Sequence, residues 1–216
     1  HPERGIVAPD EFIPFAEARG LITPIGRWVL HEACRQLKAW HDAGLPQVPV
    51  AVNLSALELR QRDVVADIRQ VLDVTGLAPR FLEIEITETV LMQQGTSAAS
   101  MLAALRALGV RVSIDDFGTG YSSLAYLKLF PIDHLKIDRS FVADIEHDLN
   151  DRAIAFGTIA LAHSLGLKVI AEGVETEDQL ELLRSNGCDE IQGYLFSKPL
   201  NSATAFAFLH ARHAAE

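Results

Sequence analysis

Six short apolar runs in this chain each finish in a residue too polar for a buried strand. The residues are Asn53, Glu85, the adjacent pair Asp115 and Asp116, Lys136 with Asp138 two positions on, Glu172 with Glu175 beyond it, and Gln192. Taken singly, such a residue is as readily the cap of the following helix as a functional group. Taken together, they point to chemistry. Carboxylate and amide oxygens are hard ligands suited to Mg2+ or Mn2+, whereas zinc prefers histidine or cysteine. No run ends in either, and the 8 histidines follow no His-x-His or HExxH pattern. His31, His41 and His163 fall in helical stretches, where solvation or hydrogen bonding is the ordinary role. Adjacent acids such as Asp115 and Asp116 repel unless a cation lies near them, and two metal ions can clamp both oxygens of an in-line phosphoryl displacement.

Other chemistries fail on spacing. Asp116-Phe117-Gly118 matches the metal-binding tripeptide of protein kinases, but no glycine-rich loop or HRD segment precedes it. There is no GxxxxGK loop, no GxSxG elbow, and Gly118-Thr119-Gly120-Tyr121 lacks the third glycine of a dinucleotide fingerprint. Those glycines instead make a mobile loop, with Ser122 or Ser123 capping the next helix. Metal-assisted hydrolysis is the reaction class that remains.

The elements that must position these residues repeat one phrase: a helical stretch ends in glycine, a β-branched run follows, and a polar loop opens. Gly76 precedes Phe81 to Thr87, Gly109 precedes Val110 to Asp115, Gly166 precedes Leu167 to Glu172, and Gly187 precedes Asp189 to Gln192. Glycine suits a helix C-cap because the cap needs a positive φ. Val48 to Asn53 and His134 to Ile137 complete a set of six short runs, apolar as buried parallel strands are. Between them, Val29, Ala33, Leu37 and Trp40, or Met101, Leu105 and Leu108, mark helical apolar faces. Ser55 with Glu58, and Thr176 with Gln179, have capping-box spacing, so helices begin just after Asn53 and after Glu172. Repeated βα units give either an open doubly wound sheet or a closed barrel, and periodicity does not choose between them. The strand ends favour the barrel, where they converge on one mouth.

At 216 residues and 49% hydrophobic, the chain can bury one sizeable core as a single domain. No apolar run approaches the roughly 20 residues of a membrane span, and His1 to Gly5 lack the regions of a signal peptide. A cytoplasmic domain is expected. Cys34 and Cys188, outside any metal-finger spacing, read as buried reduced thiols. The net charge of −10 disfavours polymeric nucleic acid as a partner, while a small anion reached through metal remains open.

The segments Val52-Asn53-Leu54-Ser55, Glu85-Ile86-Thr87-Glu88, Asp115 to Leu124, Lys136-Ile137-Asp138, Glu172-Gly173-Val174-Glu175 and Gln192-Gly193-Tyr194 together resemble the EAL-domain family of cyclic di-GMP phosphodiesterases. The likeness runs nearly end to end, in order. It implies an α/β fold, a modified TIM-like (β/α)8 barrel, and hydrolysis of cyclic di-GMP to linear pGpG with Mg2+ or Mn2+, two ions in all. By position, it implies Asn53, Glu85, Asp115 and Asp116 as metal ligands, with Asp115 bridging. Lys136 would orient the attacking water, and Glu172 would be the acid/base or a water-mediated ligand. Glu88 would hold the loop from Asp116 to Ser123, and Gln192 and Glu175 would be polar contacts near substrate.

The Glu-Ala-Leu strand that names the family is expected just ahead of His1, so residues 1–216 read as one N-terminally truncated EAL domain, its first strands missing. The resemblance further implies a larger signalling protein, with a sensory or diguanylate cyclase domain upstream and a parent that can be membrane-anchored. A homodimer is also implied. The competing function is a catalytically inactive cyclic di-GMP receptor, and family members of that kind usually lose ligands that this chain retains.

Overall fold

The computed structural model describes residues 2–61, 63–120 and 124–213. Tyr121 and the expected caps Ser122 and Ser123 lie outside the described residues. Six strands form: β1 (Val50–Asn53), β2 (Leu82–Thr87), β3 (Arg111–Phe117), β4 (His134–Ile137), β5 (Lys168–Glu172) and β6 (Glu190–Gln192). They make one sheet in chain order, and every neighbouring pair is parallel. A doubly wound sheet would reverse its strand order at a switch point, and this one does not. Instead the sheet curls. Pro49 and Ala51 at β1 and Glu190, Ile191 and Gln192 of β6 line a single cleft of about 810 Å3, so the two outer strands face each other across the opening of an incomplete barrel.

The crossovers between these parallel strands are helical, as parallel pairing requires. Val64–Thr75 links β1 to β2, Thr96–Leu108 links β2 to β3, Leu149–Ser164 links β4 to β5, and Glu177–Ser185 links β5 to β6. Gly76, Gly109, Gly166 and Gly187 all have positive φ where helices end, as their spacing requires. Both capping boxes form. Ser55 and Glu58 exchange bonds ahead of Ala56–Gln61, and Thr176 and Gln179 do so ahead of Glu177–Ser185.

On the long helix Ile22–Asp42 the buried stripe is Leu30, Cys34 and Leu37. Val29, expected on that face, is exposed, because the stripe runs one residue further on. Cys34 is buried and Cys188 half-buried, both as free thiols, and burial pushes each up to about 11, well away from thiolate chemistry.

Strand alternation sets the inside of the barrel. In β2, Leu82, Ile84 and Ile86 join the apolar core, while Glu83 and Glu85 take the opposite face. In β4, Leu135 and Ile137 do the same against His134 and Lys136. All nine side chains are buried. The inward face is therefore a stack of polar layers: Glu83 meets His134 at the N-terminal end of the strands, and Glu85 meets Lys136 at the C-terminal end.

Candidate functional site

The upper layer brings together residues from β1, β2, β3, β4 and β5. The ammonium of Lys136 lies 2.8 Å from Glu85 Oε1, 3.1 Å from Asp115 Oδ1 and 2.5 Å from Glu172 Oε1. Asn53 Nδ2 donates to the other oxygen of Glu85 at 3.0 Å. Parallel register explains the meeting: Asn53 stands beside Glu85, and Asp115 lies one step along β3 from the partner of Ile86. Lys136 has three donors, and all three are taken by carboxylates.

Asp116 joins through a bulge. The β3–β4 register shifts between Ile114 and Phe117, and Asp116 is the one non-glycine residue with positive φ (54°) among the described residues. A left-handed residue here costs about 1–3 kcal/mol, a strain that collects at functional sites. Its amide is held by Asp115 Oδ1 at 3.0 Å. The bulge undoes the strict alternation that would send two consecutive side chains to opposite faces. Burial, then the charges of Asp115 and Asp138, push the Asp116 carboxyl above its ordinary range.

Charge in the cluster is unbalanced. Glu85, Asp115, Asp116, Asp138 and Glu172 crowd around one ammonium. Burial raises the carboxyls of Glu85 and Glu172 above their ordinary values, against the pull of Lys136, with Asp115 adding to the rise. Burial alone would lower Lys136, but Glu85 and Glu172 outweigh it and keep the ammonium charged. The excess of hard, buried oxygens is what a divalent cation needs, so the donor set fits Mg2+ or Mn2+. Among the described residues no three acidic, histidine or cysteine side chains already surround a common metal-sized point. Lys136 takes the centre, and it would have to yield Glu85 and Asp115 for those oxygens to serve a cation.

The remaining expected residues stand at different distances from this centre. Glu88 is buried and accepts a 3.1 Å bond from the amide of Gly118, so it grips the near end of the glycine loop. A Cβ at Gly120 would come within 3.3 Å of Thr89 Oγ1, so Gly120 lies close to the start of the helix Glu88–Gln94. Gln192 pairs in register with Glu172 and lines the cleft with Glu85, but is exposed. Glu175 is exposed too. Asp138, one of the polar strand-end residues to which the resemblance gives no role, faces Asp116 and caps the following turn through Ser140. The signal for it was its place two residues beyond Lys136, on the same face by strand alternation.

An incomplete parallel β/α barrel with an acidic, lysine-centred mouth defines the class of protein: a barrel domain with a carboxylate-rich cluster at its strand ends. The chain belongs to the EAL-domain family, whose profile, described as "EAL domain", matches residues 1–199. It is 51% identical over 211 residues to cyclic di-GMP phosphodiesterase NbdA of Pseudomonas aeruginosa, covering 98% of the chain and 27% of that protein. It is 41% identical over 212 residues to cyclic di-GMP phosphodiesterase PdeR of Escherichia coli, covering 98% of the chain and 32% of that protein. A solved structure described as "PaMucR Phosphodiesterase, c-di-GMP complex" matches with a TM-score of 0.92 and 46% identity, over 95% of the chain and 83% of its own. The chain spans about a third or less of the length of these two curated relatives.

Proposed function

We propose that this domain hydrolyses cyclic di-GMP to linear pGpG, with Mg2+ or Mn2+ held by Asn53, Glu85, Asp115 and Asp116. The observation that carries the reading is the meeting of Glu85, Asp115 and Glu172 on Lys136, from four strands, at one buried point of the barrel mouth. Relatives named as cyclic di-GMP phosphodiesterases support the substrate. When bound, two such ions supply Lewis-acid stabilisation of the phosphoryl oxygens and an activated water.

The residues of the chain account for the rest. Lys136 would orient the attacking water, its ammonium released from Glu85 and Asp115 where those oxygens would hold a cation. Glu172 remains beside it, and its raised carboxyl is suited to exchanging a proton with that water. Glu88 holds the amide of Gly118, fixing the backbone just after Asp116. Gln192, on the cleft wall next to Glu85, is placed to contact substrate.

Membership in a larger, multidomain signalling protein, with a cytoplasmic placement and homodimer formation, belongs to the same proposal. Among the described residues no helix is long and apolar enough to cross a membrane. The test is to incubate cyclic di-GMP and Mn2+ or Mg2+ with the chain, and with a version carrying the Glu-Ala-Leu strand that the resemblance places upstream. Linear pGpG that disappears on Asp115→Asn is the expected outcome. Cyclic di-GMP that binds but stays intact with either metal would make the domain a receptor.

A further inference from the structure

We infer that Gln179 is a positioning residue that straps the loop after β5 to the loop after β4, and so sets Glu172 and Asp138 relative to each other; this rests on the phosphodiesterase reading. Gln179 is 5% exposed, and its amide is used from both ends. Its Oε1 accepts from the amides of Glu175 (2.7 Å) and Thr176 (3.1 Å), which lie just beyond Glu172. Its Nε2 donates to the carbonyl of Ala143 (3.1 Å), thirty-six residues away in the chain. The bond from Thr176 belongs to an ordinary capping box, and that from Glu175 uses the same oxygen. The third is no part of that box: a capping box needs no donor, and this one reaches another βα unit.

What it reaches leads back to the site. Ala143 closes the short helix Ser140–Ala143, whose first turn is held by Asp138 Oδ1 through the amide and hydroxyl of Ser140. Asp138 in turn faces Asp116. Two further contacts run alongside the strap. Thr176 Oγ1 donates to Glu146 Oε1 at 2.7 Å, and Gly173, at φ 72°, lies so close to Arg139 that a Cβ would fall 2.7 Å from its side chain. The loops of β4 and β5 thus move together, and Gln179 is their buried cross-tie.

The capping role and the cross-tie separate in one substitution. Gln179→Glu keeps an acceptor for Glu175 and Thr176, and glutamate is as good as glutamine at this capping-box position. It also turns a carboxylate oxygen on the Ala143 carbonyl. Gln179→Met fills the space and bonds to neither. Steady-state hydrolysis of cyclic di-GMP is expected to lose about tenfold or more in kcat with Gln179→Glu at neutral pH, with KM little changed, as small displacements of reacting groups do. Lowering the pH protonates the introduced carboxyl, whose O–H can then donate to Ala143. The ratio of variant to wild-type kcat should therefore climb as pH falls, whereas Gln179→Met stays low throughout. Amide hydrogen exchange should quicken over 138–146 in Gln179→Glu, with the helix Glu177–Ser185 still protected.

Wild-type kcat in Gln179→Glu, or losses in both variants that follow thermal stability with no pH-dependent recovery, would overturn the assignment. If neither the wild-type chain nor the version carrying the Glu-Ala-Leu strand releases pGpG, the phosphodiesterase reading fails, and exchange over 138–146 still decides the strap: unchanged rates in Gln179→Glu would sink it.

Discussion

Lys136 does two jobs that pull in different directions. Buried among three carboxylates, it supplies the charge that lets Glu85, Asp115 and Glu172 stand together without solvent. Removing one partner of a buried ion pair costs about 3–5 kcal/mol, because the other is left buried and uncompensated. Lys136→Met should therefore lower the unfolding free energy extrapolated from urea melts by an amount in that range, and Mn2+ should restore part of the loss by taking over the charge. A variant as stable as wild type without metal would mean that the carboxylates are neutral in the cluster. The lower layer can be tested by pH. Burial pushes Glu83 up, but the hydrogen bond and charge of His134 outweigh it and leave its carboxyl below its ordinary 4.5. The bond to Glu83 raises His134 above 6.5, against its burial. A lowered acid stabilises the fold above its unfolded pKa, and a raised base does so below its own. The stability contributed by this pair is thus fully present between about pH 4.5 and 6.5. It is lost below that window as Glu83 protonates and above it as His134 deprotonates. Urea melts from pH 4 to 9 on wild type and on a Glu83→Leu/His134→Leu double variant should show that profile in the first and a flatter one in the second.

At the scale of elements, close backbone approaches hold the strand-end loops in place. Gly193, just past β6, has no room for a side chain: a Cβ would lie 2.1 Å from the carbonyl oxygen of Val174, which itself follows Glu172 by two residues. Val174 N donates to Gln192 O, and Leu195 N donates to Val174 O, so the two loops are laced together at this point. Gly193→Ala forces backbone apart rather than a flexible side chain. A loss of about 1–3 kcal/mol or more is expected in chemical denaturation, with cyclic di-GMP binding weakened because Gln192 moves from Glu172. Unchanged stability would show that the lacing gives freely. These elements differ in how legible they were from sequence. The six strands, their glycine caps and both capping boxes followed from local pattern, and each lies within two residues of its expected place. The Glu83–His134 layer was also written in the alternation of Leu82-Glu83-Ile84-Glu85-Ile86 and His134-Leu135-Lys136-Ile137, but both residues sit at the strand ends away from the mouth. Lys136 as the hub of three carboxylates could not be read, because it depends on how far the sheet curls. The bond from Gln179 to Ala143 joins two units that no local spacing connects.

For the molecule as a whole, the consequence lies in the strand order. Six parallel strands in sequence leave β1 and β6 each with one edge that no described strand pairs, facing each other across the cleft. A parallel barrel abolishes such edges by closing, and unpaired edges in a curled sheet offer backbone donors and acceptors to any strand that fits. Apolar side chains near the N-terminus add to this, since Ile6, Phe12 and Phe15 line a surface hollow and are exposed. Association of the chain should therefore rise with its concentration in sedimentation velocity. A version carrying the strand that the family resemblance expects ahead of His1 should associate less, because that strand can occupy the cleft. If both remain monomeric across the same range, the twist of β1 and β6 is enough to protect their edges. If both associate equally, the contact lies elsewhere on the surface, and the homodimer implied by the family becomes the first explanation to test.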